Sequence, residues 1–279
     1  MEPADLVVQS PAPAAHAFAA FARSVGATAL VPVGSGAPVA YRLAGVVPSE
    51  ETLAAAREAR LDAAWVPRER RLDSVGVVAM DMDSTLITIE CVDEIADFKG
   101  LKDQVSAITE SAMRGEIDFA QSLTRRVALL AGLPVDDLAL VYEERLRLSP
   151  GAERMLAAFK AAGAATALVS GGFTFFTERL KARLGLDFTR ANRLEVAGGR
   201  LTGRIEGDVV DAEAKARAIR ELRAQHPGLV VVMGDGANDL PMFAEAEVSI
   251  AYRAKPVVRG KATHAIDFCG LDAAVNLFT

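Results

Sequence analysis

Three short clusters of oxygen-bearing side chains follow apolar runs in this sequence. Asp81 and Asp83 stand two apart after Val75–Met80, so both carboxylates can face one crevice above a strand end. Like charges that close raise the pKa of one group, leaving one carboxylate as a nucleophile and the other as a proton donor. A carboxylate nucleophile suits a substrate whose leaving group is attached to phosphorus. After Ala165–Val169, the run Ser170-Gly171-Gly172 offers a hydroxyl and closely approaching N–H groups, an arrangement suited to an anion. After Leu229–Met233, the residues Asp235, Asn238 and Asp239 bring the hard oxygen ligands that Mg²⁺ prefers. Asp239 occupies the third glycine position of a dinucleotide fingerprint, and the chain has no Gly-x4-Gly-Lys-Ser/Thr phosphate loop.

The three runs that carry these clusters are continuously apolar, which predicts strands buried on both faces of a parallel sheet. Helical patterns lie between them, with Phe173, Phe176, Leu180 and Leu184 on one face and Ala218, Ile219 and Leu222 on another. The layout is a doubly wound, Rossmann-like α/β core, in which ligands bind outside the carboxyl ends of the strands. An insertion at about 92–148 exceeds one crossover helix and reads as a small helical cap, able to act as a lid. Gly198-Gly199 between two alternating runs predicts a β-hairpin over 192–206.

The first seventy residues read as β-α-β-β-α-β, an α+β ferredoxin-like arrangement. Pro48-Ser49 followed by Glu51 marks the start of its second helix. Residues 67–73 are charged, open with Pro67, and read as a solvated linker. The expected division is therefore an N-terminal domain at 1–72 and a second domain at 73–279 carrying the cap.

The chain has 279 residues, 51% of them hydrophobic, and a net charge of −6. An acidic balance without a basic block excludes the electrostatic footprint of a nucleic-acid binder. Apolar stretches such as Ala17–Ala22 fall short of the roughly 18 residues that span a bilayer, and Glu2 and Asp5 stand where a secretory signal would be basic. With two cysteines, Cys91 and Cys269, a disulfide framework is excluded and a cytoplasmic location is expected.

Asp81-Met82-Asp83-Ser84-Thr85-Leu86, Ser170-Gly171-Gly172-Phe173, Lys215 near the start of a helix, and Gly234-Asp235-Gly236-Ala237-Asn238-Asp239 resemble the four ordered motifs of the haloacid dehalogenase-like hydrolases. Glu90, the run from Phe119 to Val127, and Ala191-Asn192-Arg193-Leu194 are similar to the branch of that family that acts on O-phosphoserine. The resemblance covers about residues 75–275. It implies that Asp81 attacks phosphorus while Asp83 protonates the leaving oxygen and then activates water. It further implies that Asp81, the backbone carbonyl of Asp83, and Asp235 hold Mg²⁺. Ser170, Gly171, Lys215 and Asn238 would hold the phosphoryl oxygens, with Asp239 orienting Lys215. Glu90 would meet the substrate ammonium and Arg126 its carboxylate, while Met113 and Phe119 touch the substrate from the cap.

Asp83 argues against a dehalogenase, and the lack of membrane spans argues against an ion pump. A phosphatase for another small metabolite is the alternative within the family, and Glu90 with Arg126 discriminates because a sugar phosphate has no zwitterion to bind. The N-terminal segment resembles amino-acid-binding ACT domains, which adds a sensing role to the enzyme. The expected partners are the small substrate and, in a homodimer, a second copy of the chain.

Overall fold

In the computed structural model, which describes residues 4–12, 15–34, 38–114 and 116–278, the chain opens with a small antiparallel sheet. Its elements are β1 (Ala4–Ser10), α1 (Ala15–Ser24), β2 (Ala29–Val33), β3 (Val39–Ala44), α2 (Glu50–Glu58) and β4 (Asp62–Pro67). The strand order is β2-β3-β1-β4, and every neighbouring pair is antiparallel. The Ser49 hydroxyl caps α2 by accepting the Thr52 amide at 3.2 Å, as its position before two glutamates predicted.

Strand alternation divides β1 between two cores. Leu6 and Val8 pack with Phe18, Phe21 and Leu61 beneath the two helices. Val7, with Ala64 and Val66 of β4, joins the large apolar cluster of the rest of the chain. Both faces of this sheet are therefore covered. Polar contacts reinforce the junction, since the Asp62 carboxylate accepts the amides of Asp267 at 2.7 Å, Phe268 at 3.2 Å and Cys269 at 2.8 Å.

Segment 67–73, expected as a solvated linker, is tied down at Arg68 and Arg70, while Arg71 and Asp73 are exposed. Arg68 donates to Asp5, and Arg70 donates to Nε2 of the buried His264 at 2.6 Å. Those partners lie far away in sequence, so a local reading sees only a run of charge.

The second sheet begins with β5 (Val75–Met80). The insertion follows, with α3 (Cys91–Phe98), α4 (Lys102–Met113), α5 (Phe119–Leu129) and α6 (Val135–Leu140), and then α7 (Ala152–Ala161) leads into β6 (Ala165–Phe173). Next come α8 (Thr174–Leu184), the hairpin β7 (Phe188–Ala197) and β8 (Arg200–Glu206), α9 (Ala212–Gln225), and β9 (Leu229–Gly234). The chain closes with α10 (Leu240–Ala244), β10 (Val248–Tyr252), α11 (Pro256–Arg259) and β11 (His264–Ile266).

The strand order is β11-β10-β9-β5-β6-β7-β8, parallel throughout except for the β7–β8 hairpin. The α/β core expected from the continuous apolar runs is present. Along β5, Val77 and Ala79 face one apolar cluster while Val78 and Met80 face the other, so the strand is buried on both sides. From β5 the chain moves to β6 on one side and later to β9 on the other. That reversal opens a crevice at the carboxyl end of β5.

The inserted helices share the large cluster with the sheet through Ile95, Leu123, Val127 and Leu138. The hairpin also grips them, with Gly132 N–H donating to the Leu201 carbonyl and Val135 N–H to that of Gly199. No helix among the described residues is long and apolar enough to cross a membrane.

Candidate active site

The carboxyl ends of β5, β6 and β9 and the inner faces of α3 and α5 enclose a cavity of about 810 Å³. Asp81, Asp83, Glu90, Phe119, Arg126, Ser170, Gly171, Asp235 and Asn238 all line it. Residues widely separated in sequence thus meet as expected. Lys215 and Asp239 lie beneath its floor, 1% and 0% exposed. Met113 ends α4, and its side chain lies outside the described residues.

Asp81 remains fastened to the sheet, its amide donating to the Met233 carbonyl of β9 at 3.0 Å. Its Oδ1 accepts the Met82 amide at 2.7 Å, and its Oδ2 meets Lys215 Nζ at 2.8 Å. The same ammonium donates to Asp239 Oδ1 at 2.8 Å. Burial opposes the lysine's charge, but the Asp239 and Asp81 carboxylates outweigh it and hold the pKa above the ordinary value. Asp239 is fixed in turn, its Oδ2 accepting the amides of Asp235 and Gly236 at 3.1 and 3.0 Å. Lys215 is thus the buried counter-ion of the proposed nucleophile.

After Asp81 the backbone makes a tight turn through 82–86. Ser84 adopts φ +54°, a left-handed conformation that side chains other than glycine enter at a cost of about 1–2 kcal/mol. The turn is held by Ser84 Oγ donating to Glu90 Oε1 at 2.7 Å and by Asp83 Oδ1 accepting the Cys91 amide at 3.0 Å. Asp83 is thereby aimed from the start of α3 into the cavity. Burial, then the charges of Glu90 and Asp81, push its carboxyl well above the ordinary carboxylate range.

Glu90 is accessible from the cavity yet has protein on most sides. That desolvation, with the charges of Asp235, Asp81 and Asp93, raises it to about 7 against the Ser84 hydrogen bond.

The phosphate-sized end of the cavity is floored by the β6 loop. Ser170 Oγ accepts the Gly172 amide at 2.8 Å, which leaves its proton free to donate outward. A Cβ at Gly171 would stand 2.7 Å from the Phe119 ring, and one at Gly172 would stand 2.8 Å from Asp83 Oδ2, so both positions need glycine for room. Asn192, quoted in the sequence pattern without a role, holds this loop. Its Nδ2 donates to the Gly171 carbonyl at 2.8 Å and its Oδ1 accepts the Val210 amide at 2.7 Å.

The carboxylates of Asp81, Asp235 and Asp239 offer oxygens within 4.8 Å of one another, a cluster able to hold a cation. Asp239 lies beneath the cavity floor, bound to Lys215 and backbone amides, whereas Asp81 and Asp235 line the cavity. The Asp83 side chain is outside the cluster, so only its backbone carbonyl is available for the role expected of it. Burial and the charge of Asp81 raise Asp235 to about 6. Hard oxygens with an excess of negative charge are the donor set that Mg²⁺ takes.

On α5, burial draws the Arg126 guanidinium below its usual pKa against the pull of Asp93, Glu90 and Asp83. Ser122 and Asp93 also line the cavity, and sequence reading missed both. The available signal was spacing, since Phe119, Ser122 and Arg126 recur at intervals of three and four on one helix.

Residues 78–244 match the family of haloacid dehalogenase-like hydrolases, and the chain belongs to it. Within that family it is similar to a phosphoserine phosphatase of Polaromonas sp. strain JS666, 53% identical over 215 residues, which are 74% of this chain and 91% of that protein. A phosphoserine phosphatase of Vibrio cholerae serotype O1 is 43% identical over 232 residues, 82% of this chain and 70% of that protein. Among solved structures, an unliganded probable phosphoserine phosphatase from Vibrio cholerae superposes with a TM-score of 0.85 at 36% identity, covering 98% of this chain and 85% of that one. A substrate-bound phosphoserine phosphatase complex gives 0.69 at 37% identity, covering 74% and 99%.

Proposed function

We propose that the chain is a Mg²⁺-dependent phosphatase that hydrolyses O-phosphoserine to serine and phosphate through an aspartyl-phosphate, the last step of serine biosynthesis. One observation carries the reading: the Asp81–Asp83 pair, Glu90 and Arg126 all line a single cavity. The aspartate pair suits a phosphate ester, and Glu90 with Arg126 suits an ammonium and a carboxylate on one small molecule. The similarity to phosphoserine phosphatases at 43–53% identity supports the same substrate.

In the first step an Asp81 carboxylate oxygen attacks phosphorus, the bond from phosphorus to the serine oxygen breaks, and Asp83 gives its proton to that oxygen. Burial and the charges of Glu90 and Asp81 favour the protonated form of Asp83, the form this step uses. In the second step the Asp83 carboxylate takes a proton from water, whose oxygen attacks phosphorus and releases Asp81. Ser170 Oγ, the Gly171 amide and Asn238 hold the phosphoryl oxygens, and Lys215 neutralises charge from behind Asp81 while Asp239 fixes its direction. Mg²⁺, held by the carboxylates of Asp81 and Asp235 and the Asp83 carbonyl, supplies further neutralisation of the phosphoryl charge. Glu90 receives the ammonium and Arg126 the carboxylate, for which its planar fork is suited. Phe119 closes the cavity from the cap, and the family resemblance gives Met113 a contact with the substrate.

Phosphate release from O-phosphoserine and from sugar phosphates, with and without Mg²⁺ and in Asp81→Asn, tests the reading. The expected result is Mg²⁺-dependent release with a preference for phosphoserine, abolished in the variant. Equal rates on sugar phosphates would overturn the substrate, and an active Asp81→Asn enzyme the chemistry.

The strand order of the first sheet supports a ferredoxin-like, ACT-like domain at 1–72, beside a phosphatase domain at 73–279 with its cap at about 92–148. A cytoplasmic enzyme, active as a homodimer and carrying an amino-acid-sensing N-terminal domain, completes the proposal. Inhibition of the full chain by serine that is not competitive with phosphoserine would support the sensing role, and purely competitive inhibition would remove it.

A further inference from the structure

Ser122 lies in the second turn of α5, is 2% exposed, and carries a hydroxyl with no hydrogen-bond partner among the described residues. A serine inside a helix ordinarily donates back to the carbonyl four residues earlier. Here the Asp118 carbonyl receives the Ser122 amide at 2.9 Å and nothing from the hydroxyl. The residue nevertheless lines the 810 Å³ cavity.

One turn further on, Arg126 lines the same cavity, and its Nε is also buried without a partner. Residues four apart share a helix face, so two donors without partners stand side by side, with the buried Asp93 Oδ1 also unpaired among the described residues. Leaving such groups unpaired is costly, which makes a bound acceptor the natural resolution. The neighbouring Asp93 on α3 is an acceptor, and its charge helps keep Arg126 ionised, so it does not compete for the same ligand group.

We propose that Ser122 is a specificity-determining residue whose hydroxyl donates to the substrate carboxylate beside the Arg126 guanidinium. The inference rests on the amino-acid phosphate reading above and adds a second, neutral donor to its carboxylate subsite. A guanidinium alone attracts any anion. The hydroxyl one turn away constrains where on α5 the carboxylate sits and hence which end of the zwitterion faces the helix.

The test is Ser122→Ala, assayed with O-phosphoserine and with phosphoethanolamine, which keeps the ammonium and phosphate but has no carboxylate. KM for phosphoserine is expected to rise about tenfold, equivalent to about 1.4 kcal/mol, with kcat little changed. KM for phosphoethanolamine should stay as it was. The thermal midpoint should hold or rise, because alanine removes an unbonded buried hydroxyl from a helix. Equal shifts for both substrates, or no shift for either, would overturn the proposal. A wild-type enzyme with no preference for phosphoserine over phosphoethanolamine would overturn the substrate reading itself, whereas a preference undiminished in Ser122→Ala would overturn this inference alone.

Discussion

Lys215→Met would separate the structural work of the buried lysine from its place near the chemistry. The lysine is 1% exposed and its Nζ stands 2.8 Å from both Asp81 and Asp239. Methionine keeps most of the apolar stem and removes only the charge. Two buried carboxylates then face each other without their cation. Removing one partner of a buried ion pair costs about 3–5 kcal/mol, a large share of a typical stability of about 5–15 kcal/mol. Asp239→Asn alone should cost less, because Lys215 keeps Asp81 and the asparagine carbonyl can still accept the amides of Asp235 and Gly236. Combined with Lys215→Met, the same change should be beneficial, since it removes one of the two stranded charges. The double variant is therefore expected to be more stable than Lys215→Met by at least about 1 kcal/mol, a non-additive result of the kind seen for groups in direct contact. Urea unfolding followed by far-UV circular dichroism in the presence of a chelator measures all four proteins. Strictly additive losses, or a Lys215→Met midpoint equal to that of the wild type, would refute the placement of this lysine as a shared counter-ion.

Acid sensitivity should trace in part to His264, whose pKa is pushed down to about 3 by burial and the Arg70 guanidinium. An imidazole depressed in the folded state costs nothing above its unfolded pKa of about 6.5 and progressively more as pH falls towards 3, or about 2 kcal/mol at pH 5. His264→Gln should accordingly lose less stability between pH 7 and pH 5 than the wild type, and an equal loss would count against it. Asp62→Ala should cost about 3 kcal/mol by freeing three amides of the β11 end. The sole tryptophan, Trp65, lies on the same strand, so its fluorescence should report unfolding of the first sheet at lower urea than circular dichroism reports the rest; coincident transitions at the wild-type midpoint would speak against the staple.

What could be read from the sequence was whatever local pattern determines. Continuous apolar runs at Val75–Met80, Ala165–Val169 and Leu229–Met233 announce strands buried on both faces, and polar residues directly after them must emerge at one sheet edge. The Gly198-Gly199 turn and the Ser49 cap are decided by a few neighbouring residues. What could not be read depends on partners distant in the chain. Arg68 finds Asp5 at a separation of 63 residues and Arg70 finds His264 at 194, so a charged run looked like free surface. Lys215 gives no sign of burial within its own helix, because the carboxylates that neutralise it come from two other strands. Ser84 could not be foreseen in a left-handed conformation, since its hydrogen bond to Glu90 and the anchoring of Asp83 by the Cys91 amide impose it.

The residues that line the cavity are held by different means, and the difference has a consequence. Asp81, Ser170 and Asp235 stand at the carboxyl ends of adjacent parallel strands, fixed by hydrogen bonds to backbone amides, to Lys215 and, for Asp235, to the Thr85 hydroxyl. Chemistry that depends on aligning a nucleophile, an acid and an anion pocket needs that stiffness, because most phosphoryl-transfer catalysis is positioning and charge neutralisation. Ser122 and Arg126 instead belong to the inserted helix α5, with Glu90 just before α3, and Ser122 Oγ and Arg126 Nε are unpaired among the described residues. Groups left unpaired until a ligand arrives discriminate strongly, because a substrate lacking the matching atoms leaves them buried and unsatisfied. Substitution on the helices should therefore change which phosphate ester is accepted while leaving the bond-breaking step intact, and substitution at the strand ends should do the reverse.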